Sequence, residues 1–338
     1  MGYGVGGRLL PRISVIVPVH NSVNHIEACL RALTNQTVAQ GDYEIIVIDD
    51  GSSDDTLRAV SHHPVRAFSQ FWQGPAAARN RGLSAAQGDL VLFTDADCEP
   101  APDWIEQMCR PFSDPRVSGV KGVYRTRQHS LVARFVQLEY EDKYRRMARY
   151  QTIDFIDTYS AGYRSCVLRE IAGFDTRFPT ASVEDQELSF RLAKAGRRLV
   201  FQPTAVVYHR HASTLGAYAR KKFRIGYWKV LVHLRHPDKL LHDSHTPQVL
   251  KLQLVMVPLG LASWLSSGLW SPLTWVALGT TGLLFLSMAP FITQVCRADP
   301  PVALVAPWLL LVRAAALGMG FGVGLAARVG KRVLDRLS

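Results

Sequence analysis

Val91-Leu92-Phe93-Thr94-Asp95-Ala96-Asp97 is an apolar run that ends in two carboxylates separated by one small residue. Side chains two apart on a strand share a face, so two aspartates at a strand's exit can both reach one hard cation. Magnesium and manganese take oxygen ligands, commonly one or two carboxylates together with substrate phosphate oxygens. The same Asp-x-Asp pattern also makes an ordinary strand-end turn. Its neighbours in the chain bear on which reading holds.

Upstream, Ile13-Ser14-Val15-Ile16-Val17-Pro18 reads as a buried strand ended by proline, and residues 26–33 read as a helix. Glu44-Ile45-Ile46-Val47-Ile48 is a second strand, broken by Asp49-Asp50-Gly51-Ser52-Ser53, and residues 56–60 start another helix. Strands alternating with helices indicate βαβ units, an α/β fold and a mainly parallel sheet. Such sheets bind ligands beyond the carboxyl ends of their strands. Val17 leads into Pro18-Val19-His20-Asn21, Ile48 into Asp49-Asp50 and Phe93 into Asp95-Ala96-Asp97, so three strand ends carry polar groups that one nucleotide could meet. Isolated turns and core packing do not predict that convergence, and it favours the cation reading. Gly74-Pro75-Ala76-Ala77-Ala78-Arg79-Asn80-Arg81-Gly82 reads as small residues entering a helix. Its Arg79 is either solvated or aimed at phosphate or ribose oxygens.

Six stretches occur in the order found in the family 2 glycosyltransferases, which the chain resembles over about residues 12 to 230. They are Val15 to Asn21, Val47 to Asp54, Ala78-Arg79-Asn80-Arg81-Gly82, Thr94-Asp95-Ala96-Asp97, Ile171-Ala172-Gly173-Phe174-Asp175 and Val183-Glu184-Asp185-Gln186-Glu187-Leu188. The resemblance implies a GT-A fold, a single nucleotide-sugar-binding domain with a mixed, mainly parallel sheet. It implies that Pro18 and Asn21 line the nucleotide pocket, that Asp50 contacts the base, that Asp95 faces ribose and metal, and that Asp97 binds the metal. Glu184 and Asp185 correspond to the acceptor-side catalytic pair, with Asp185 as general base. The implied reaction moves one sugar from a nucleoside diphosphate with inversion, using Mg2+ or Mn2+.

The acid pair also precedes the helical pattern Leu188, Leu192, Ala193, and acids favour that end of a helix. Both roles are compatible. His209, in Val206-Val207-Tyr208-His209-Arg210-His211 after a strand at residues 199–208, is the candidate third metal ligand or else a surface histidine. Arg220-Lys221-Lys222-Phe223-Arg224-Ile225-Gly226-Tyr227-Trp228-Lys229 resembles the basic-aromatic segment that closes over the diphosphate in membrane-associated members, which assigns Arg224 and Trp228 to the nucleotide sugar. It reads equally as an amphipathic helix on lipid headgroups. Lys221 and Gly226 stand where the processive synthases have Gln and Arg before the Trp, which argues against polymerisation.

The net charge is +11, and residues 188–237 hold eleven Lys and Arg with no Asp or Glu. A basic block directly before an apolar region fits the cytoplasmic face of an anionic membrane. No zinc spacing, RNA-binding signature or helix-turn-helix pattern supports nucleic acid as a partner. The five cysteines have no paired spacing, so a disulfide framework is not expected. Arg8 and Arg12 precede no apolar stretch of signal-peptide length, and the first domain is expected to stay in the cytosol.

Three apolar stretches follow, at residues 252–270, 273–293 and 302–327, each close to the roughly 20 residues that span a bilayer. Three full spans would put the tail Arg328-Val329-Gly330-Lys331-Arg332 outside, and Arg313 interrupts the third stretch. The expectation is two spans plus a Gly-rich third element that is short, tilted or re-entrant. The chain thus reads as a GT-A catalytic domain (1–211), a basic interfacial segment (212–245) and a transmembrane region of two to three helices (246–338). The expected protein is a multi-pass cell-membrane transferase whose catalytic domain faces the cytoplasm. It takes a nucleoside-diphosphate sugar and a lipid-linked or membrane-presented acceptor, in contact with membrane lipids, for envelope or extracellular glycan synthesis. A polyprenyl-phosphate acceptor is the nearest alternative, and an inactive nucleotide-sugar-binding subunit is a more distant one.

Overall fold

The computed structural model describes residues 13–240 and 243–337, so Arg8, Arg12 and two positions of the interfacial segment lie outside the described residues. These residues divide into two compact units, one made of 13–125 with Phe155–His209, the other of Thr126–Asp154 with residues 210–337.

In the first unit, β1 (Ile13–Val19), α1 (Ile26–Thr34), β2 (Tyr43–Asp50), α2 (Thr56–Val60), β3 (Arg66–Gln70), α3 (Pro75–Ala85) and β4 (Leu90–Phe93) alternate as the apolar periodicity predicts. β5 (Cys98–Pro100), α4 (Trp104–Cys109) and β6 (Val117–Arg125) follow. After α5 (Leu131–Met147), which belongs to the second unit, come β7 (Ala161–Arg164), α6 (Ser165–Glu170), α7 (Glu184–Lys194) and β8 (Arg198–His209). The strands form one eight-stranded sheet in the order β3-β2-β1-β4-β7-β6-β8-β5. β3, β2, β1 and β4 run parallel, while β7 is antiparallel to both β4 and β6. This is a mixed, mainly parallel sheet, as the resemblance implies.

Register fixes the site. Val19 pairs with Asp49 and Ile16 with Phe93, so the carboxyl ends of β1, β2 and β4 finish along one edge. β1, β2 and β4 are buried almost throughout, which is why their sequences are continuous apolar runs rather than alternating ones. Gly82 lets α3 lie directly on β1: a Cβ there would sit 2.4 Å from Ile16 Cγ2. That close approach carries Arg79, one turn earlier, under the strand ends.

The second unit packs α5 with α8 (Leu215–Arg235), α9 (Gln248–Ser266), α10 (Pro272–Ala298) and α11 (Pro300–Leu337). Phe135 of α5 meets Tyr218 edge-on at 5.9 Å and Phe291 at 5.8 Å. Three helices, at Gln248–Ser266, Pro272–Ala298 and Pro300–Val329, are long and apolar enough to cross a membrane. Leu265, Trp275 and Leu304 are 84%, 77% and 81% exposed on them. Apolar surface of this extent calls for a partner other than water.

Of the forms expected for the third element, a short or re-entrant one is not what forms, because α11 is a continuous helix of 38 residues. Arg313 does not break it. Its guanidinium donates to Glu139 of α5 at 3.1 Å and to Gln253 of α9 at 3.0 Å, so the charge is matched inside protein. Asp299, one of two acids in the apolar region, likewise accepts from Arg134 of α5 at 2.8 Å. Two glycines of α11 serve packing: a Cβ on Gly320 or Gly324 would meet the Phe223 or Tyr227 carbonyl oxygen of α8 at 2.1 or 2.4 Å. Two helices separated by so little backbone need a small residue every fourth position.

Candidate active site

Arg79 organises the edge of the sheet. Its guanidinium donates to Asp95 Oδ1 at 3.0 Å and to Glu184 Oε1 at 2.8 Å, with the arginine side chain 2% exposed. Burial opposes its charge, but Asp95 and Glu184 outweigh that penalty and hold its pKa up. The solvated reading of Arg79 is therefore replaced, and the residue joins a β4 exit to the first turn of α7. The rest of that motif also has structural roles. Asn80 donates to the Phe174 carbonyl and accepts from the Phe174 amide, both at 2.8 Å, while Arg191 donates to the Ile171 and Gly173 carbonyls. These bonds hold Ala172 and Gly173 at positive φ, 59° and 63°.

A cavity of about 390 Å³ opens beside this pair, with Pro18, Asp50, Arg79, Asp95 and Asp97 in its wall. Asp50 accepts from the Gly74 amide at 2.7 Å, the Gln73 amide at 2.9 Å and the Gln70 side chain at 2.7 Å. Gly74 is required there: φ is +91°, and a Cβ would strike the Pro179 carbonyl at 2.3 Å. Asn21 sits outside the cavity wall and clips two strand-end loops together. Its side chain accepts from the Ser53 amide at 2.8 Å and its own amide donates to Ser52 Oγ at 2.9 Å.

Asp97 and His209 come together across 3.6 Å, although 112 positions separate them in the chain (209 minus 97). The imidazole is buried between Tyr159 and Tyr124, with ring centroids at 4.3 and 5.4 Å. Ligand atoms of Asp97, Cys98 and His209 lie within 4.8 Å of one another. Burial first, then the charges of Asp97 and Asp95, push the Cys98 thiol well above its ordinary pKa. A protonated thiol is a poor metal ligand. Carboxylate oxygens with one imidazole suit Mn2+ or Mg2+ as hard or borderline cations, so Asp97 and His209, with Asp95 on the same loop, fit such an ion.

Glu184 is buried and accepts from the Ser182 amide at 2.8 Å as well as from Arg79. Asp185 is half-buried in the first turn of α7 and accepts from the Gln186 amide at 2.7 Å. Its charge is felt by the buried Tyr163 hydroxyl, whose pKa is raised by burial and then by Asp185 and Asp157. Arg224 and Trp228 lie on α8 of the second unit, where Arg224 lines a cavity with Phe223, Tyr227 and Met319. The first unit's cavity also has His20, His25, Trp72 and Thr180 in its wall, none of which the sequence reading assigned. Trp72 had a signal, being a large aromatic just past the exit of β3, and it is 56% exposed.

Residues 14–172 match the family model described as glycosyl transferase family 2. A pre-mycofactocin glycosyltransferase of Mycobacterium tuberculosis is 31% identical over 243 residues, covering 67% of this chain and 48% of that protein. Glycosyltransferase AglE of Haloferax volcanii is 29% identical over 238 residues, covering 66% of this chain and 74% of its own length. The chain thus spans about half the length of the first of these relatives. The solved mannosyltransferase PcManGT of Pyrobaculum calidifontis, in complex with GDP-Man and Mn2+, shares the fold with a TM-score of 0.61 at 21% identity, over 94% of this chain and 88% of its own.

Proposed function

Because the chain carries a family 2 glycosyltransferase domain of GT-A fold followed by long apolar helices, we propose that it is a membrane-anchored, inverting hexosyltransferase. It moves one sugar from a nucleoside-diphosphate sugar to a lipid-linked acceptor, with its catalytic unit on the cytoplasmic side. The observation that carries this reading is the Arg79 bridge, which binds Asp95 and Glu184 into one site beside a cavity walled by Asp50 and Asp97.

In the proposed reaction, Pro18, Asp50 and the exposed face of Trp72 hold the nucleoside. Asp95, Asp97 and His209 would hold Mg2+ or Mn2+, which when bound supplies positive charge against the diphosphate leaving group. Asp185 takes the proton of the acceptor hydroxyl at a carboxylate oxygen as that hydroxyl's oxygen bonds to the anomeric carbon and the bond to the diphosphate breaks. Glu184 supports that work, buried with its oxygens accepting from Arg79 and the Ser182 amide. It fixes the helix start on which Asp185 stands.

Asp185→Asn tests the assignment. Transfer is expected to fall by roughly 10²- to 10⁴-fold while binding of the sugar nucleotide, measured by calorimetry over a panel of donors, is retained. Full turnover by this variant rules out Asp185 as the base.

A further inference from the structure

The second unit contains a cavity of about 150 Å³ whose wall combines five cationic side chains with residues of the apolar helices. Lys143 and Arg146 come from α5, Lys222 and Lys229 from α8, and Arg313 from α11. Glu139 and Asp142 are the acids in this wall among the described residues, so its formal balance there is five positive against two negative, or +3. Glu139 is already shared between Lys222 at 3.0 Å and Arg313 at 3.1 Å, and Asp142 pairs with Arg146.

Two observations show that Lys229, Arg146 and Arg313 have donors left to satisfy. Lys229 forms no hydrogen bond or ion pair among the described residues, and burial lowers its pKa, with Lys251 and Lys222 adding to that against Asp243. Asp243 accepts from the His245 amide at 3.0 Å and lies 3.8 Å from Lys251. The Nε atoms of Arg146 and Arg313 are also buried with no hydrogen-bond partner. Buried donors without acceptors and a buried excess of positive charge both raise the energy of the fold, and an anion relieves both. Phosphate suits this donor set, because arginine forks and lysine ammoniums are the usual phosphate ligands.

The rest of the wall identifies the source of that phosphate. Leu250, Phe291 and Leu317 belong to the three long apolar helices, so the wall of the cavity combines cationic and hydrocarbon side chains. Basic pockets between membrane helices receive lipid head groups. We propose that this cavity binds the phosphate of a membrane lipid, with Lys229, which has no partner among the described residues, as a principal contact. The proposal rests on the membrane-anchored reading but not on the transfer reaction.

The test uses the full chain in detergent mixed micelles, without sugar donor, and counts retained lipid by native mass spectrometry. Phosphatidic acid, phosphatidylcholine and inorganic phosphate are the three probes. Wild-type protein is expected to retain one phosphatidic acid that neither phosphatidylcholine nor inorganic phosphate displaces. Lys229→Met is expected to weaken that retention roughly tenfold or more, as for one charge-assisted contact, and Lys229→Arg to preserve it. Equal retention by Lys229→Met overturns the proposal. So does displacement by inorganic phosphate at equal concentration, which assigns the cavity to a free anion, and this arm needs no variant. Fractionation of the wild-type chain with membranes reports separately on the anchored reading.

Discussion

Arg79 and Glu184 are 105 positions apart in the chain and form a buried ion pair at 2.8 Å. The same guanidinium holds Asp95, so one side chain couples the exit of β4 to the start of α7. A carboxylate as enclosed as Glu184 is tolerable only while that partner stays, because desolvation disfavours its charge.

Arg79→Met therefore leaves a buried carboxylate unpaired, and a loss of about 3–5 kcal/mol is expected, read as a lower midpoint of chemical unfolding. Arg79→Lys keeps the charge, yet a single ammonium lacks the planar fork that spans both acids. It should recover only part of the loss. If Arg79→Lys matches wild type, the bridging geometry is not what matters.

The strands were legible in the sequence because a buried parallel sheet writes continuous apolar runs, and the Asp95-Ala96-Asp97 exit was legible because a break in such a run is abrupt. Partners distant in the chain were not. Nothing local to Arg79 announces Glu184, and nothing in the third apolar stretch announces that Glu139 and Gln253 receive Arg313. Read alone, Arg313 shortens the helix, whereas its partners let α11 run on. The glycines of α11 were visible as a composition, but their purpose depends on which helix lies opposite.

Calorimetric titration with Mn2+ separates the candidate ligands. Asp97→Asn and His209→Ala are each expected to weaken binding by at least roughly tenfold, and a chelator should stop sugar transfer until Mn2+ is restored. Cys98→Ser should leave the affinity unchanged, because Mn2+ and Mg2+ prefer carboxylate oxygen and imidazole nitrogen to sulfur. An equal loss in Cys98→Ser would show that the sulfur binds the ion.

His211 makes the second unit sensitive to mild acid. It is buried, stacked on Tyr140 at 5.7 Å, and donates to Gln137 Oε1 at 3.1 Å, since the Gln137 amide nitrogen faces Glu141. Burial, with Lys221 and Lys222 nearby and Glu139 opposing them, lowers its pKa from 6.5 to about 3. Below about 6.5 the unfolded chain takes up a proton that the folded protein refuses, so stability falls by up to about 1.4 kcal/mol per pH unit. The loss should accumulate from pH 7 to pH 5, above the range where carboxylates titrate. His211→Gln should reduce the slope of the unfolding midpoint across that interval without removing it, because burial and the nearby Lys229 also lower the pKa of His233 in the same unit to about 4, and an unchanged slope would assign the acid sensitivity to another group.

The glycines of α11 allow a test with its control in the same helix. A Cβ on Gly320 would lie 2.1 Å from the Phe223 carbonyl oxygen, and one on Gly226 of α8 would lie 2.2 Å from that of Leu317. These obstacles are backbone atoms within helices, so relief requires moving α8 away from α11. Gly320→Ala and Gly226→Ala are each expected to cost about 1–3 kcal/mol through overpacking, measured as a lower thermal midpoint in one fixed detergent. Gly322 lies in the same run of glycines, yet a Cβ there meets nothing within 4 Å. Gly322→Ala should be neutral or slightly stabilising, because alanine is the better helix former. If all three substitutions destabilise alike, α11 needs glycine for flexibility and not for close approach to α8.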